Sequence, residues 1–441
     1  MDITISAEWL IPIITDPLFP LISMMILAIL GLLFLLLIFR IAMHSYTKRL
    51  QDQYVAKQEY VLLALDVPRN NEQGPEAVER MFAYLSGAKG TGPAELPISV
   101  EIISVASHIQ FLIRIASQFR DLAEAAIYAS YPDAEIVEVE DYTKEMPDKF
   151  PNDKYDLWGA DFTLYNKNAY PIRTYTNFEH TMTGELKDPM VDMLEILGKL
   201  QEGEQVWIQI IIKHSADKEI KKGKKEAEMV IKKLMGEKVK TPKTMSEQLI
   251  NLPLEFLQAA TIMTPPTPGS ATPEKQKTVS PGERKIIEAI QNKVSKISFE
   301  TKIRIIYIAE KEVFNKSRGM IGVLGALNTV NTLDMNGLMP DKTAKTLVNM
   351  YETTKSSSPK QTAIMAAYKK RGGNWKIESQ FQKDWKKFLE FLTISPASKK
   401  NILNIEELAT LYHFPVIASR VPLVKKTGSK RGEPPFSLPT K

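Results

Sequence analysis

The sequence predicts an α+β protein in which one N-terminal transmembrane helix is followed by ferredoxin-like (βαββαβ) modules and a helical C-terminal part. Three observations carry that expectation. A charge-free apolar run fills residues 17–39, β-rich and helix-periodic runs alternate over 60–141, and the chain beyond 336 turns polar with helical spacing.

The run PLFPLISMMILAILGLLFLLLIF is long enough to cross roughly 30 Å of hydrocarbon as a helix. It is too long for the core of a signal peptide, no basic stretch precedes it, and no small-residue cleavage site follows. A single span is therefore expected at 17–43, with 1–16 as an extracytoplasmic N-terminus. Asp2, Glu8 and Asp16 precede the run, whereas Arg40, Lys48, Arg49 and Lys57 follow it. The positive-inside bias then places the bulk of the chain in the cytoplasm, with the inner membrane as its address and the bilayer as a partner. Trp9, in AEWLIPII, is expected at headgroup depth.

After a polar connector at 44–58, a ferredoxin-like module is expected at 59–145. YVLLALDVP reads as a buried strand, and GPEAVERMFAYLSGA places Val78, Met81, Phe82 and Leu85 at helical spacing with Pro75 in the first turn. ISVEIISV and IQFLIRIAS are β-rich runs close enough for a hairpin. SQFRDLAEAAIYASYP is a helix with Ser117 as candidate cap and Pro132 as its stop, and AEIVEVEDY is a last strand. The order β-α-β-β-α-β is that of a split βαβ unit. Alternation puts Glu138 and Glu140 on one side of that last strand, an acidic face and not a catalytic dyad.

A second α+β module is expected at 150–335. It holds YDLWGADFTLY, a helix over DPMVDMLEILGKL with Asp188 as cap and Pro189 in its first turn, and the alternating EQVWIQIIIKH. The lysine-rich helix at 218–233 reads as a solvated face. A Pro/Thr-rich insertion at 262–282 has no apolar periodicity and reads as disordered. Beyond it come a helix, the long strand FETKIRIIYIAE and the glycine-bearing helix around GMIGVLGA, where the glycines serve close packing because G-x-x-G-x-x-G is not the dinucleotide spacing. Residues 336–400 read as helical, with Trp375, Phe381, Trp385, Phe388 and Phe391 as a core-type stripe. The last part, 401–441, reads as a short helix followed by a basic, proline-dotted tail.

Composition removes several chemistries. There is no cysteine among 441 residues, so disulfides, thiolate metal sites and a cysteine nucleophile are excluded. Lys+Arg number 57 against 52 Asp+Glu, an excess too small to name a polyanionic partner. No Walker A sequence occurs, the five histidines show no metal-ligand spacing, and no G-x-S-x-G elbow exists. The expectation is a non-enzyme with no cofactor and no metal.

Four stretches, read together, carry a resemblance: YVLLALDVPRNNEQGPEAVERMFAYLSG, IQFLIRIASQFRDLAEAAIYASYPDAEIVEVEDY, GEQVWIQIII and NILNIEELATLYHFP. Over roughly 58–441 the chain resembles the membrane-anchored N-terminal region of bacterial type IV secretion and conjugation coupling proteins. In those proteins such a segment leads into an FtsK/HerA-like P-loop motor, and this chain stops where the motor would begin. The resemblance implies an adaptor for a separate P-loop ATPase in a translocation apparatus, with homo-oligomeric assembly around the motor. The residues implied in docking are Glu406, Glu407, Leu408, Leu411, His413, Phe414 and Pro415. His413 by itself reads as a capping or packing residue. DNA is a further partner to be weighed, through Lys425, Lys426, Lys430 and Arg431 of the tail, and a membrane-tethered scaffold or nucleic-acid-binding protein unrelated to secretion is the alternative reading.

Overall fold

A computed structural model of the chain describes residues 19–68, 71–90, 92, 94–178, 188–215, 217–237, 279–341, 348, 354–371 and 401–415. Trp9, most of the Pro/Thr-rich insertion, the aromatic stripe from Trp375 to Phe391 and the four basic tail residues Lys425, Lys426, Lys430 and Arg431 lie outside the described residues. Contacts divide the chain into two units, Met1–Glu59 with Gly90–Leu96, and Tyr60–Lys89 with Pro97–Lys441.

The first unit contains one long helix, α1 (Phe19–Lys57), whose first half exposes apolar side chains such as Leu21, Met24, Leu27 and Phe34. Among the described residues no helix is long and apolar enough to cross a membrane. That finding overturns the span expected at 17–43, and the inner-membrane localisation and orientation fall with it. The apolar stretch is not a helix of its own: α1 runs on without a break through the charged sequence of 40–57.

In the second unit, every apolar run of the first module becomes a strand and every amphipathic run a helix. The order is β1 (Tyr60–Asp66), α2 (Pro75–Leu85), β2 (Ile98–Val105), β3 (His108–Ala116), α3 (Arg120–Ser130) and β4 (Glu135–Glu138). Pro75 opens α2, where its missing N–H costs nothing. Ser117 does not cap α3; it starts a 3₁₀ turn, Ser117–Phe119, ahead of the helix. The same order then recurs, with β5 (Tyr155–Leu164), α4 (Pro189–Leu197), β6 (Glu204–His214), the helices α5 (Asp217–Leu234) and α6 (Pro281–Ser295), β7 (Ser298–Glu310), α7 (Gly322–Asn328) and β8 (Leu338–Pro340). Asp188 caps α4 through Met190 N, and Ser280 and Glu283 form a capping box on α6.

The strands lie in the order β4-β1-β3-β2-β6-β7-β5-β8, with every pairing antiparallel. The first four strands thus take the order 4-1-3-2 and the next four repeat it in mirror sequence. The second strands of the two repeats, β2 and β6, pair over eight residues from Ile98 opposite Ile212 to Val105 opposite Gln205. The expected fold class is corrected accordingly. In place of separate modules behind a membrane helix, the chain is a mixed α/β protein built on one large antiparallel sheet, because β2 and β6 close each other's open edges.

Helices α2, α3, α4 and α7 cover one face of the sheet, and their core includes Leu63, Val100, Phe111, Ile208, Ile305 and Leu194. The opposite face packs Leu62, Ile103, Leu112, Trp207 and Ile306 under α8 (Thr354–Lys370). There Gly159 matters: a Cβ would lie 2.8 Å from Ile364 Cδ1, so α8 reaches the sheet only over a glycine. A last pair, β9 (Asn401–Asn404) and α9 (Ile405–Leu411), returns from the C-terminal side; β9 pairs with β7, and α9 packs chiefly on α2.

The β2–β3 hairpin turns on two residues, Ala106 and Ser107, with φ of 47° and 68°. Both lie in the left-handed region, where Asn and Gly are at ease and Ala and Ser are strained. Replacing Ala106→Asn together with Ser107→Gly should raise stability by about 1 kcal/mol in urea melts; an unchanged or lowered midpoint would show that the turn carries no such strain.

Candidate functional site

Register brings one polar residue from each of four adjacent strands into a single row on the α8 face. Glu101 of β2 stands opposite Gln209 of β6, Gln209 opposite Arg304 of β7, and Arg304 opposite Asp161 of β5. All four are buried. Arg304 Nε donates to Asp161 Oδ1 at 2.7 Å, and its Nη1 donates to Gln209 Oε1 at 3.4 Å. Gln209 Nε2 donates onward to Glu101 Oε1 at 3.0 Å, so the amide sits with its oxygen to the cation and its nitrogen to the carboxylate. Lys302 adds a second cation, 3.3 Å from Asp161 Oδ2.

Arg371, just past the end of α8, closes the row. Its Nε and Nη2 grip both oxygens of Glu101 at 2.7 and 3.1 Å, and its Nη1 and Nη2 reach Asp141 at 2.5 and 3.0 Å. Ser99 Oγ and Tyr142 Oη also donate to Glu101, at 2.7 and 2.8 Å, which gives that carboxylate five donors. Arg371 has φ 43°, a backbone that glycine or asparagine usually supplies after a helix. The arginine is held there by its two carboxylates, a stronger claim on the position than backbone ease.

The electrostatics follow. Burial works against the Arg371 cation, yet Glu101 and Asp141 more than restore it and its pKa is raised. Burial pushes Asp141 up, but hydrogen bonds from Arg371 and Thr143 hold it below the usual carboxylate range; Asp161 is likewise lowered, burial being outweighed by Arg304 and Lys302. Burial raises the phenols of Tyr142 and Tyr368, whose hydroxyls are 2.8 Å apart. Arg114, stacked 3.8 Å over the Tyr60 ring, is lowered by burial and by Arg371.

The docking residues expected from the sequence lie elsewhere, on the other face, and they are inside the protein. Glu406, Glu407, Leu408, Leu411, His413 and Phe414 are all buried, and Pro415, half-buried, accepts from Asn71 Nδ2 at 3.3 Å. Glu407, fully buried, reaches back to Asn404 N at 2.9 Å in a capping box, and its Oε1 accepts from Ile172 N and Lys293 Nζ, each at 3.0 Å. Glu406 meets Lys296 at 2.8 Å, and burial notwithstanding, Lys296, Thr174 and Thr176 hold its pKa low. His413 faces an oxygen at each ring nitrogen, Ala409 O at 2.7 Å and Asp188 Oδ1 at 2.6 Å. Tyr412 and Phe414 complete an aromatic cluster with Phe82, Phe111 and Tyr131. In this structure the residues expected to dock a partner are bonded within the chain itself.

What the arrangement can do chemically is limited by how completely its groups are engaged. Among the described residues, no group of three His, Asp or Glu is placed to hold a metal ion. An apolar cavity of about 30 Å³, lined by Met190, Met193, Ile208, Ile303, Leu327 and Leu411, has room for water-sized molecules alone. The row was not legible in the sequence because each member is one polar residue with apolar neighbours on both sides, and the cross-strand register that lines the four up is not written in any one strand. The signal was present all the same: Glu101, Gln209, Arg304 and Asp161 each stand between two apolar residues of their strand.

Two outcomes follow. Arg371→Met should cost about 3–5 kcal/mol in denaturant melts, since it leaves two carboxylates buried against apolar groups; a loss under about 1 kcal/mol would contradict the clamp. Because the folded pKa values of Asp141 and Asp161 are depressed, their contribution is complete above the ordinary carboxylate value near 4 and is lost as pH falls through the folded values. Urea midpoints should therefore hold steady down to about pH 5 and fall below about pH 4, with a shallower fall in Asp161→Asn.

A family model described as a domain of unknown function (DUF8128) matches residues 67–331, a stretch that contains the whole row from Glu101 to Arg304 and stops short of Arg371 and of 401–415. No curated protein matches the chain. Nothing in the match connects the chain to coupling proteins, to an FtsK/HerA-like motor, to secretion or to conjugation, and those expectations are corrected to the coarser one. With more than half of its 441 residues matched, the chain belongs to the DUF8128 family of unknown function.

Proposed function

We propose that the chain is a non-enzymatic assembly component, an adaptor that works beside a separate P-loop ATPase. The ionisable side chains best placed for chemistry, Glu101, Asp141, Asp161, Glu204, Arg304 and Arg371, are bound to one another or to neighbouring side chains and serve to fix structure. The observation that supports an adaptor is the loop at 331–337. Asn331 bonds both the N–H and the C=O of Leu338, Thr332 N donates to Asn336 O at 3.1 Å, the Tyr165 hydroxyl donates to Thr332 O, and buried Asn336 ties the loop to Lys167 and Tyr170. This rigid frame leaves Leu333 wholly exposed, with half-exposed Tyr165 and Met339 on the same edge of the sheet. An apolar side chain presented on an ordered loop is an anchor without its pocket.

A photo-crosslinking residue in place of Leu333, introduced in cells, should capture a P-loop ATPase identified by mass spectrometry, and Leu333→Asp should reduce co-purification of that ATPase at least tenfold. Crosslinks confined to this chain would sink the adaptor reading.

A second reading, contact with nucleic acid, is favoured by α5, where Lys221, Lys222, Lys224, Lys225, Lys232 and Lys233 are all exposed. Single-stranded DNA should then bind with an affinity that falls steeply between 50 and 200 mM salt, roughly a hundredfold or more; binding insensitive to salt, or none, removes it.

A further inference from the structure

Residues 401–415 are covalently distant from the cleft they fill. β5 covers β7 only from Ile303 to Glu310, and β9 takes over the same side of β7 from Ser298 to Thr301. Asn401 splices the two strands: its side chain accepts from Leu164 N at 2.9 Å and donates to Phe162 O at 2.9 Å, imitating a peptide group. The helix that follows, with Tyr412 at its end, is seated between the two sheet repeats, on Phe82 of α2, on Tyr175, and against Lys293 and Lys296. Polar residues are unusually frequent in this segment for so buried a piece of chain. Asn401, Asn404, Glu406, Glu407, Thr410 and His413 are all buried, and each is matched by groups elsewhere in the chain. That composition, with aromatic anchors at one end and satisfied polar pairs at the other, is that of a docked ligand rather than of ordinary core.

We propose that the cleft is a strand–helix acceptor site, and that its partner in trans is the 401–415 segment of a second copy of this chain. Twenty-nine residues separate Arg371 from Asn401, enough at about 3.3–3.6 Å each to span roughly 100 Å when extended. One segment can therefore serve its own cleft or a neighbour's with the same bonds, and exchange links copies through a site that is incomplete without the segment. A high effective concentration favours the chain's own cleft when copies are dilute, and clustering of copies shifts the balance toward exchange. This inference does not depend on the ATPase reading.

The absence of cysteine makes the test direct. Glu300 and Ile402 are antiparallel partners across β7 and β9, and the N–H of Ile402 is bound to Asn168 instead, so the pair is of the close, non-hydrogen-bonded kind that suits a disulfide. Full-length chains carrying Glu300→Cys alone and Ile402→Cys alone are mixed, incubated at low and at tenfold higher concentration, and oxidised. Disulfide-linked heterodimer should form, and its yield should rise with concentration. The chain with both substitutions should close an internal disulfide, which confirms that the reporter pair meets. Internal closure without heterodimer at either concentration overturns the proposal. Failure of the double variant to close would overturn it as well, since the β7–β9 pairing would then not hold.

Discussion

Eight residue pairs between β2 and β6 turn two four-stranded sheets into one, and the row Glu101, Gln209, Arg304 and Asp161 fixes which residues meet across that seam. Main-chain hydrogen bonds alone would tolerate a slip. A shift of one residue at the seam would put Glu101 and the other three members of the row on opposite faces, sending polar groups into the core around Val100, Ile208 and Ile305, where a carboxylate or guanidinium has no partner. The buried charges contribute little net energy beyond what apolar residues of the same volume would give, but they impose a heavy penalty on every other alignment.

Both outer layers depend on that alignment. On one face Arg371 anchors α8 to Glu101 and Asp141, while Gly159 lets the helix descend onto the sheet. On the other, the segment at 401–415 gathers groups from both sheet repeats: Asn71 and Phe82 from the first, Lys293, Lys296 and the strand β7 from the second. A register error at the seam would separate those groups. The matched family region, 67–331, contains the row itself, whereas Arg371 and 401–415 lie beyond it.

Much of the local structure was legible from periodicity. The runs around Leu63, Val100, Phe111, Ile208 and Ile305 read as strands because unbroken or alternating apolar character needs no tertiary knowledge, and Pro75, Asp188 and Pro189 marked helix starts through chemistry confined to one turn. Tertiary facts were less accessible. That β2 and β6 pair with each other is invisible to any pattern within either strand, so a chain of two repeats read as two modules. The burial of Glu406 and Glu407 could not be read from the sequence, because carboxylates are seldom buried; Lys293 and Lys296, more than a hundred residues away, are what allow it. The apolar stretch at 17–39 met a length criterion for a span, but the helix that holds it extends through 57, and no helix among the described residues is apolar enough to cross a membrane.

Native-state hydrogen exchange, resolved by residue across Ile98–Val105 and Glu204–His214, examines the seam most directly. If the two repeats share one cooperative sheet, the amides that bridge β2 and β6 will be among the slowest in the protein, and they will exchange with the same free energy and denaturant dependence as those of β3 and β7. Seam amides that open at lower free energy than β3 and β7, with a smaller denaturant dependence, would mean that the halves fold separately and that the row from Glu101 to Asp161 does not hold them together.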